Sequence, residues 1–147
     1  MISNPTITKI ITMDCGHRLS DYVGKCRRIH GHTYRLEVTV GGKVNEQGMI
    51  VDFSQLKEIL VQKVENKFDH KLILKIDDIL NQAISKAIPK DEDWICWVDY
   101  NPTAENMVFD IFEVLKTELK GKNLGLKKVV IWETPSSFAE VSEHEKK

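Results

Sequence analysis

Three histidines, one cysteine and an Asp-His pair carry the reactive groups of this sequence. His30 and His32 flank Gly31 at the head of a run in which Tyr34, Leu36, Val38 and Val40 alternate with Thr33, Arg35, Glu37 and Thr39. A period of two belongs to a half-buried strand, so both imidazoles share its apolar face. Two neutral imidazoles in a poorly hydrated place suit a divalent metal, although two satisfied histidines at a strand entrance would read the same way. Gly31 between them allows another backbone to come close. Upstream, Ile7, Ile11, Met13 and Cys15 hold one parity, and His17 continues it. If the two strands pair antiparallel, the end of the first lies beside the start of the second, and His17 joins the pair. Three nitrogen ligands with an open fourth position is the catalytic rather than the structural zinc pattern.

The linker between these strands, Arg18 to Ile29, is long for a hairpin, and loops of that length are often functional. It carries Cys26, with Lys25, Arg27 and Arg28 as positive neighbours that favour a thiolate. Cys26 could be a fourth ligand, a catalytic base or nucleophile, or an incidental loop thiol. Asp69-His70 follows a helical stretch; the carboxylate could orient the imidazole, or the pair could be a solvated turn. Glu133 ends an apolar strand beside Trp132, where a carboxylate could take two parallel N–H donors from a pterin or purine edge; a plain solvated strand end is the alternative. Cys15 and Cys96 lie in apolar patterns and read as core.

The elements that must position these groups follow from periodicity and punctuation. Helical spacing of Leu56, Ile59, Leu60, Val64 and Phe68 predicts a helix over about 54–66, capped by Asp52 or Ser54. A second pattern, Ile76 to Ile88, is stopped by Pro89. Trp94–Tyr100 reads as a third strand. Pro102-Thr103-Ala104-Glu105 opens a third helix with Val108, Ile111, Phe112, Leu115 and Leu119 as its buried stripe and Gly121 at its end. Glu105 there could merely favour the helix dipole. Lys127–Glu133 is the last strand, and the tail after Ser142, His144 included, is polar. Antiparallel strands with helices over one sheet face make an α+β layer.

Composition narrows the function. The 147 residues are a single-domain length, read as one domain over 1–147, with 41% hydrophobic and 29% charged residues. A net charge of −1 leaves no basic footprint for nucleic acid. No apolar run approaches the about 20 residues of a membrane helix, and no signal peptide opens the chain. Three cysteines without paired spacing make a disulfide framework unexpected and a reducing, cytoplasmic setting the default.

The run His17-Arg18-Leu19, then Cys26-x-x-x-His30-Gly31-His32, resembles the 6-pyruvoyl-tetrahydropterin synthase family of tunnelling-fold proteins. Gly48-Met49-Ile50-Val51-Asp52-Phe53, Asp69-His70, Pro102-Thr103-Ala104-Glu105-Asn106 and Trp132-Glu133-Thr134 match it in order. The Cys26 spacing is similar to the 6-carboxytetrahydropterin synthase branch; the pyruvoyl-forming branch places its cysteine further upstream. The chain departs at Cys15-Gly16, where small residues such as Ala-Ala are usual, and at Lys71-Leu72-Ile73-Leu74, where many members read Leu-Asn. Neither departure removes a functional group.

The resemblance implies a tunnelling fold, an antiparallel four-stranded sheet with helices on one face that closes into a barrel by oligomerisation, typically as a hexamer with sites between subunits. It implies that His17, His30 and His32 hold zinc, that Cys26 is the general base, and that His70, supported by Asp69, is its proton-relay partner. Glu133 would anchor the pterin, with Thr103 and Glu105 lining the same pocket. The implied reaction is a carbon–carbon lyase step, 7,8-dihydroneopterin triphosphate to 6-carboxytetrahydropterin, acetaldehyde and triphosphate, which feeds 7-deazaguanine (preQ0, queuosine) synthesis. A 6-pyruvoyl-tetrahydropterin synthase would use the same site without releasing acetaldehyde. A pterin- or purine-binding zinc protein without turnover is the non-enzymatic alternative, and intact Cys26, Asp69 and His70 speak against it.

Overall fold

The computed structural model describes residues 4–144. The two alternating segments form β1 (Thr6–His17) and β2 (His30–Gly41), which pair antiparallel from Thr6 opposite Gly41 to His17 opposite His30. Strand β2 pairs antiparallel with β5 (Gly125–Thr134), and β5 with β6 (Ser137–Ser142). These four strands are the expected antiparallel sheet, but its last member is β6 and not the Trp94–Tyr100 segment. Strand β6 is faint in the sequence because its largest side chain, Phe138, is half exposed.

Two further strands extend the sheet. β3 (Leu72–Lys75) runs parallel to the end of β1 at Gly16 and His17, and β4 (Ile95–Val98) runs parallel to β3. The sheet order is β4-β3-β1-β2-β5-β6, so it is mixed and six-stranded. Leu72-Ile73-Leu74 shows no period of two, because Ile73 and Leu74 are both fully buried, one on each face.

The helices cover one face of the sheet. The Asp52 carboxylate accepts the Ser54 amide at 2.7 Å and caps α1 (Phe53–Leu60). The chain continues as a π-helical turn over Val61–Glu65 and then α2 (Asn66–Phe68). The expected second helix shortens to α3 (Asn81–Ala87), which buries no residue and leaves Ile76 and Ile79 facing outward. Asp78 explains the change: its amide donates to the Lys75 carbonyl, and its carboxylate accepts the Leu80 amide while its other oxygen meets Arg18. A turn forms where the periodicity predicts helix. The long helix α4 (Ala104–Lys120) is capped by Thr103 Oγ1, which accepts the Asn106 amide at 3.2 Å.

Met13, Tyr34, Leu36, Val38, Val129 and Ile131 from the sheet meet Leu56, Leu60, Phe68, Met107, Ile111 and Leu115 from the helices in one core. That is the α+β layer expected. Among the described residues no helix is long and apolar enough to cross a membrane. The three cysteines are free, and Cys15 and Cys96 are buried as their patterns suggest. Burial pushes the Cys15 thiol up to about 12, which leaves it inert.

Leu115→Ala is expected to destabilise the protein by about 2–5 kcal/mol through loss of contacts and a residual cavity. Glu113→Ala on the exposed face of the same helix is expected to stay within about 0.5 kcal/mol. Urea unfolding of both variants beside the parent protein makes the comparison, and equal midpoints would contradict the packing described.

Candidate metal centre and active site

The strand register builds the centre of the site. His17 lies opposite His30, and Cys15 opposite His32, across the β1–β2 pair. Because paired residues point to the same face, three imidazoles converge at one end of the apolar side of the sheet. Their ring centroids are 4.6 to 5.1 Å apart. Gly31 makes this register possible: a Cβ there would stand 3.1 Å from the Cys15 carbonyl oxygen. His17 is 2% exposed, and His30 and His32 are half-buried.

Hydrogen bonds then choose which ring nitrogens face the centre. His17 Nδ1 is 2.7 Å from the Pro102 carbonyl, and His30 Nδ1 is 2.7 Å from the Arg28 carbonyl. A carbonyl only accepts, so each Nδ1 carries the proton and each Nε2 keeps its lone pair. Those two Nε2 atoms are 3.0 Å apart, and His32 Nε2 is buried without any hydrogen-bond partner. Facing lone pairs at that distance repel unless a cation or a proton lies between them. One ligand atom from each histidine lies within 4.8 Å of the others. Two ligands on a tetrahedral zinc ion, at about 2.0–2.1 Å each, stand about 3.3 Å apart, so the set fits zinc with one position open. Burial first, and neighbouring imidazoles as well, pull His17 and His32 below the usual histidine range, which keeps both neutral and able to ligate.

Tyr34 forms the floor. It is fully buried, with its hydroxyl 3.2 Å from His17 Nδ1. Burial, then the charges of Glu133, Cys15 and Cys26, push its phenol far up, so it remains protonated. Glu133, at the end of β5, brings Oε1 to 3.6 Å from His32 Nε2, on the rim of the cluster. Cys26 lies half-buried in a 3₁₀ turn, Lys25–Arg27, whose backbone returns to the segment just after β1: the Leu19 amide donates to the Cys26 carbonyl at 2.9 Å. Thr103 sits one residue beyond the Pro102 carbonyl that holds His17, with its hydroxyl used as the α4 cap. Glu105 is exposed in the first turn of α4, where its charge suits the helix dipole.

Asp69 and His70 form a real pair at the exit of α2. The Asp69 Oδ2 is 2.8 Å from His70 Nδ1, and its Oδ1 accepts the Asp14 amide at 2.8 Å. The His70 amide donates to the Asp14 carbonyl at 2.8 Å. His70 adopts φ 58°, a left-handed conformation that side chains other than glycine avoid and that concentrates at functional positions. Its imidazole is 78% exposed and shares a shallow cleft of about 580 Å³ with His30 and His32, and also with Asp14, Gly16, Gly31 and Thr33. The last four have the parity opposite to the metal-site imidazoles. Among the described residues no hydrogen bond joins His70 to Cys26 or to the other histidines. The dyad and the imidazole cluster border the same cleft without a direct hydrogen bond between them.

Sequence reasoning missed the residues that hold the site from outside. Tyr34 could have been found, since it shares the parity of His30 and His32. Pro102 and Arg28 act through their carbonyls, which no side-chain pattern reveals.

The profile of the 6-pyruvoyl tetrahydropterin synthase family matches residues 6–144. A 6-carboxy-5,6,7,8-tetrahydropterin synthase of Rickettsia felis is 34% identical over 137 residues, which cover 91% of this chain and 97% of that protein. The protein of the same name from Haemophilus influenzae is 33% identical over 141 residues, covering 93% and 98%. The structure of Caenorhabditis elegans 6-pyruvoyl tetrahydropterin synthase superposes with a TM-score of 0.65 at 25% identity, covering 98% of this chain and all of that one.

The hydrogen bond to Asp69, and then its charge, raise the His70 pKa above the ordinary histidine value. The folded protein therefore keeps this imidazolium to a higher pH than the unfolded chain does. Asp69→Asn is expected to return the His70 titration toward about 6.5, followed through its ring-proton NMR shifts. An unchanged titration would mean that another group sets it.

Proposed function

The chain belongs to the 6-pyruvoyl tetrahydropterin synthase family, and on that premise we propose that it is a zinc-dependent 6-carboxy-5,6,7,8-tetrahydropterin synthase. Its substrate is 7,8-dihydroneopterin triphosphate, and its products are 6-carboxytetrahydropterin, acetaldehyde and triphosphate. The observation that carries the proposal is the convergence of three imidazoles, two of them aimed by backbone carbonyls, with Glu133 at their edge. The spacing Cys26-x-x-x-His30 supports the carboxy rather than the pyruvoyl product.

His17, His30 and His32 would hold the zinc. When bound there, the ion supplies Lewis-acid polarisation of the substrate's side-chain oxygens. Cys26 acts as the general base on the polarised side chain. His70, whose hold on its proton Asp69 strengthens, delivers and recovers protons. Glu133 accepts the paired N–H donors of the pterin edge, and Thr103 and Glu105 line the same pocket. Lys25, Arg27 and Arg28, around the thiol, face the triphosphate. The enzyme works in the cytoplasm, where its product enters 7-deazaguanine (preQ0 and queuosine) synthesis.

Among the described residues no hydrogen bond joins His70 to Cys26 within one chain, which supports an active site completed by a second subunit of a hexamer. The sheet edges support it too. Strand β6 ends one side of the sheet, and β1 is joined by β3 only at Gly16 and His17. Open edges of that length are satisfied when copies close into a barrel.

Zinc-loaded protein incubated with 7,8-dihydroneopterin triphosphate is expected to release acetaldehyde and a carboxypterin identified by mass. Cys26→Ala is expected to lower turnover by about 10²–10⁴-fold with zinc retained. A pyruvoyl product would move the protein to the sister activity, and bound pterin without turnover would reduce it to a binding protein. Light scattering of the active protein is expected to give a multimer. A stable, active monomer would overturn the shared site.

A further inference from the structure

The most deeply buried ion pair among the described residues lies beside the imidazole cluster, not in it. Arg18 directly follows His17 and is 6% exposed. Its Nε donates to Asp78 Oδ2 at 2.5 Å, and the Asp78 side chain is fully buried. The other Asp78 oxygen accepts the Leu80 amide at 2.9 Å, so the turn after β3 orients the carboxylate. Removing two charges from water is costly, and an apolar pair of similar volume would pack as well. The guanidinium therefore has to do something that packing alone would not.

Its second edge shows what that is. Arg18 Nη1 donates to the Arg27 carbonyl at 3.0 Å, and the next residue, Leu19, donates its amide to the Cys26 carbonyl at 2.9 Å. Two consecutive carbonyls of the thiol-bearing turn are held by the two residues that follow His17. Beyond these, the turn is tied at its C-cap, where the Arg28 carbonyl accepts His30 Nδ1–H at 2.7 Å, and by its internal bonds. Its own amide bonds, Arg27 to the Gly24 carbonyl and Arg28 to the Lys25 carbonyl, are 3.2 and 3.0 Å, and it buries no residue.

We propose that Arg18 and Asp78 are positioning residues for Cys26: the carboxylate aims the guanidinium, and the guanidinium clamps the turn that carries the thiol. The inference rests on the role proposed above for Cys26. It concerns a place in the fold, and it holds for either pterin product.

The test uses zinc-loaded Arg18→Lys and Asp78→Asn. A lysine keeps a positive charge against Asp78 but lacks the planar second edge that reaches Arg27. Arg18→Lys is expected to fold and to hold the zinc content of the parent protein. Iodoacetamide is expected to alkylate its Cys26 at least about threefold faster, located by peptide mass, because the turn opens more often. Its kcat is expected to fall about 10–100-fold with KM within about threefold, the signature of a misplaced group rather than of lost binding. Asp78→Asn is expected to do the same. If it fails to fold, the double variant Arg18→Met with Asp78→Leu, which strands no charge, takes its place with the same expected result. Unchanged alkylation and kcat in Arg18→Lys would overturn the proposal. So would loss of zinc together with a rise in KM, which marks a merely structural pair. If the parent protein makes no product, the role of Cys26 as base fails, while the alkylation rates still decide whether Arg18 holds the turn.

Discussion

The antiparallel register of β1 and β2 is the constraint on which the rest of the site depends. Side chains alternate across a sheet, so a slip of one residue would send His30 and His32 to the face opposite His17. The register is held by the apolar face, where Met13 and Tyr34 are opposed and Ile11 and Leu36 are opposed, all in the core. It is also held by Gly31, the residue that lets the Cys15 carbonyl approach without a Cβ in the way. The same hydrophobic pattern that folds the sheet thus brings the three imidazoles together.

Once the imidazoles are placed, carbonyl groups decide their chemistry. Pro102, at the start of α4, and Arg28, just before β2, each hold one Nδ1–H, which turns the paired Nε2 atoms inward. Burial keeps His17 and His32 neutral, and the deeply buried Tyr34 phenol stays protonated beneath them. A cluster of inward-facing ring nitrogens edged by one carboxylate, Glu133, is a good host for a dication. That electrostatic character is local; the chain as a whole carries a formal charge of only −1.

The helices contribute by placing groups at the sheet end. Thr103 caps α4 directly after Pro102, so the carbonyl on His17 is fixed by the start of the longest helix. Asp110 in α4 accepts both Lys67 from α2 and Tyr100 from the loop after β4, each at 2.5 Å. This clip ties the approach to Asp69-His70 to the approach to Pro102. The π-helical turn at Val61–Glu65 precedes the left-handed His70, and Phe68 stays buried between them. Irregular backbone is concentrated where the dyad leaves the helix, a pattern typical of functional positions.

Periodicity and spacing alone determined the two long strands, the shared parity of His17, His30 and His32, the Asp52 cap, the stripe of α4 and the motifs that carry the family. These are local properties, fixed within a few residues by side-chain alternation, helical spacing and capping chemistry. The tertiary structure decided the remainder. Leu72-Ile73-Leu74 became a strand because both of its faces are covered, and α3 lost its first turn because Arg18, distant in sequence, draws Asp78 inward. The fourth antiparallel strand is β6, chosen by the edge that β5 offers and not by its own hydrophobicity. The backbone carbonyls that orient His17 and His30 leave no trace in residue type. They depend on contacts between segments far apart in the chain, and such contacts exist only once the sheet has closed over its helices.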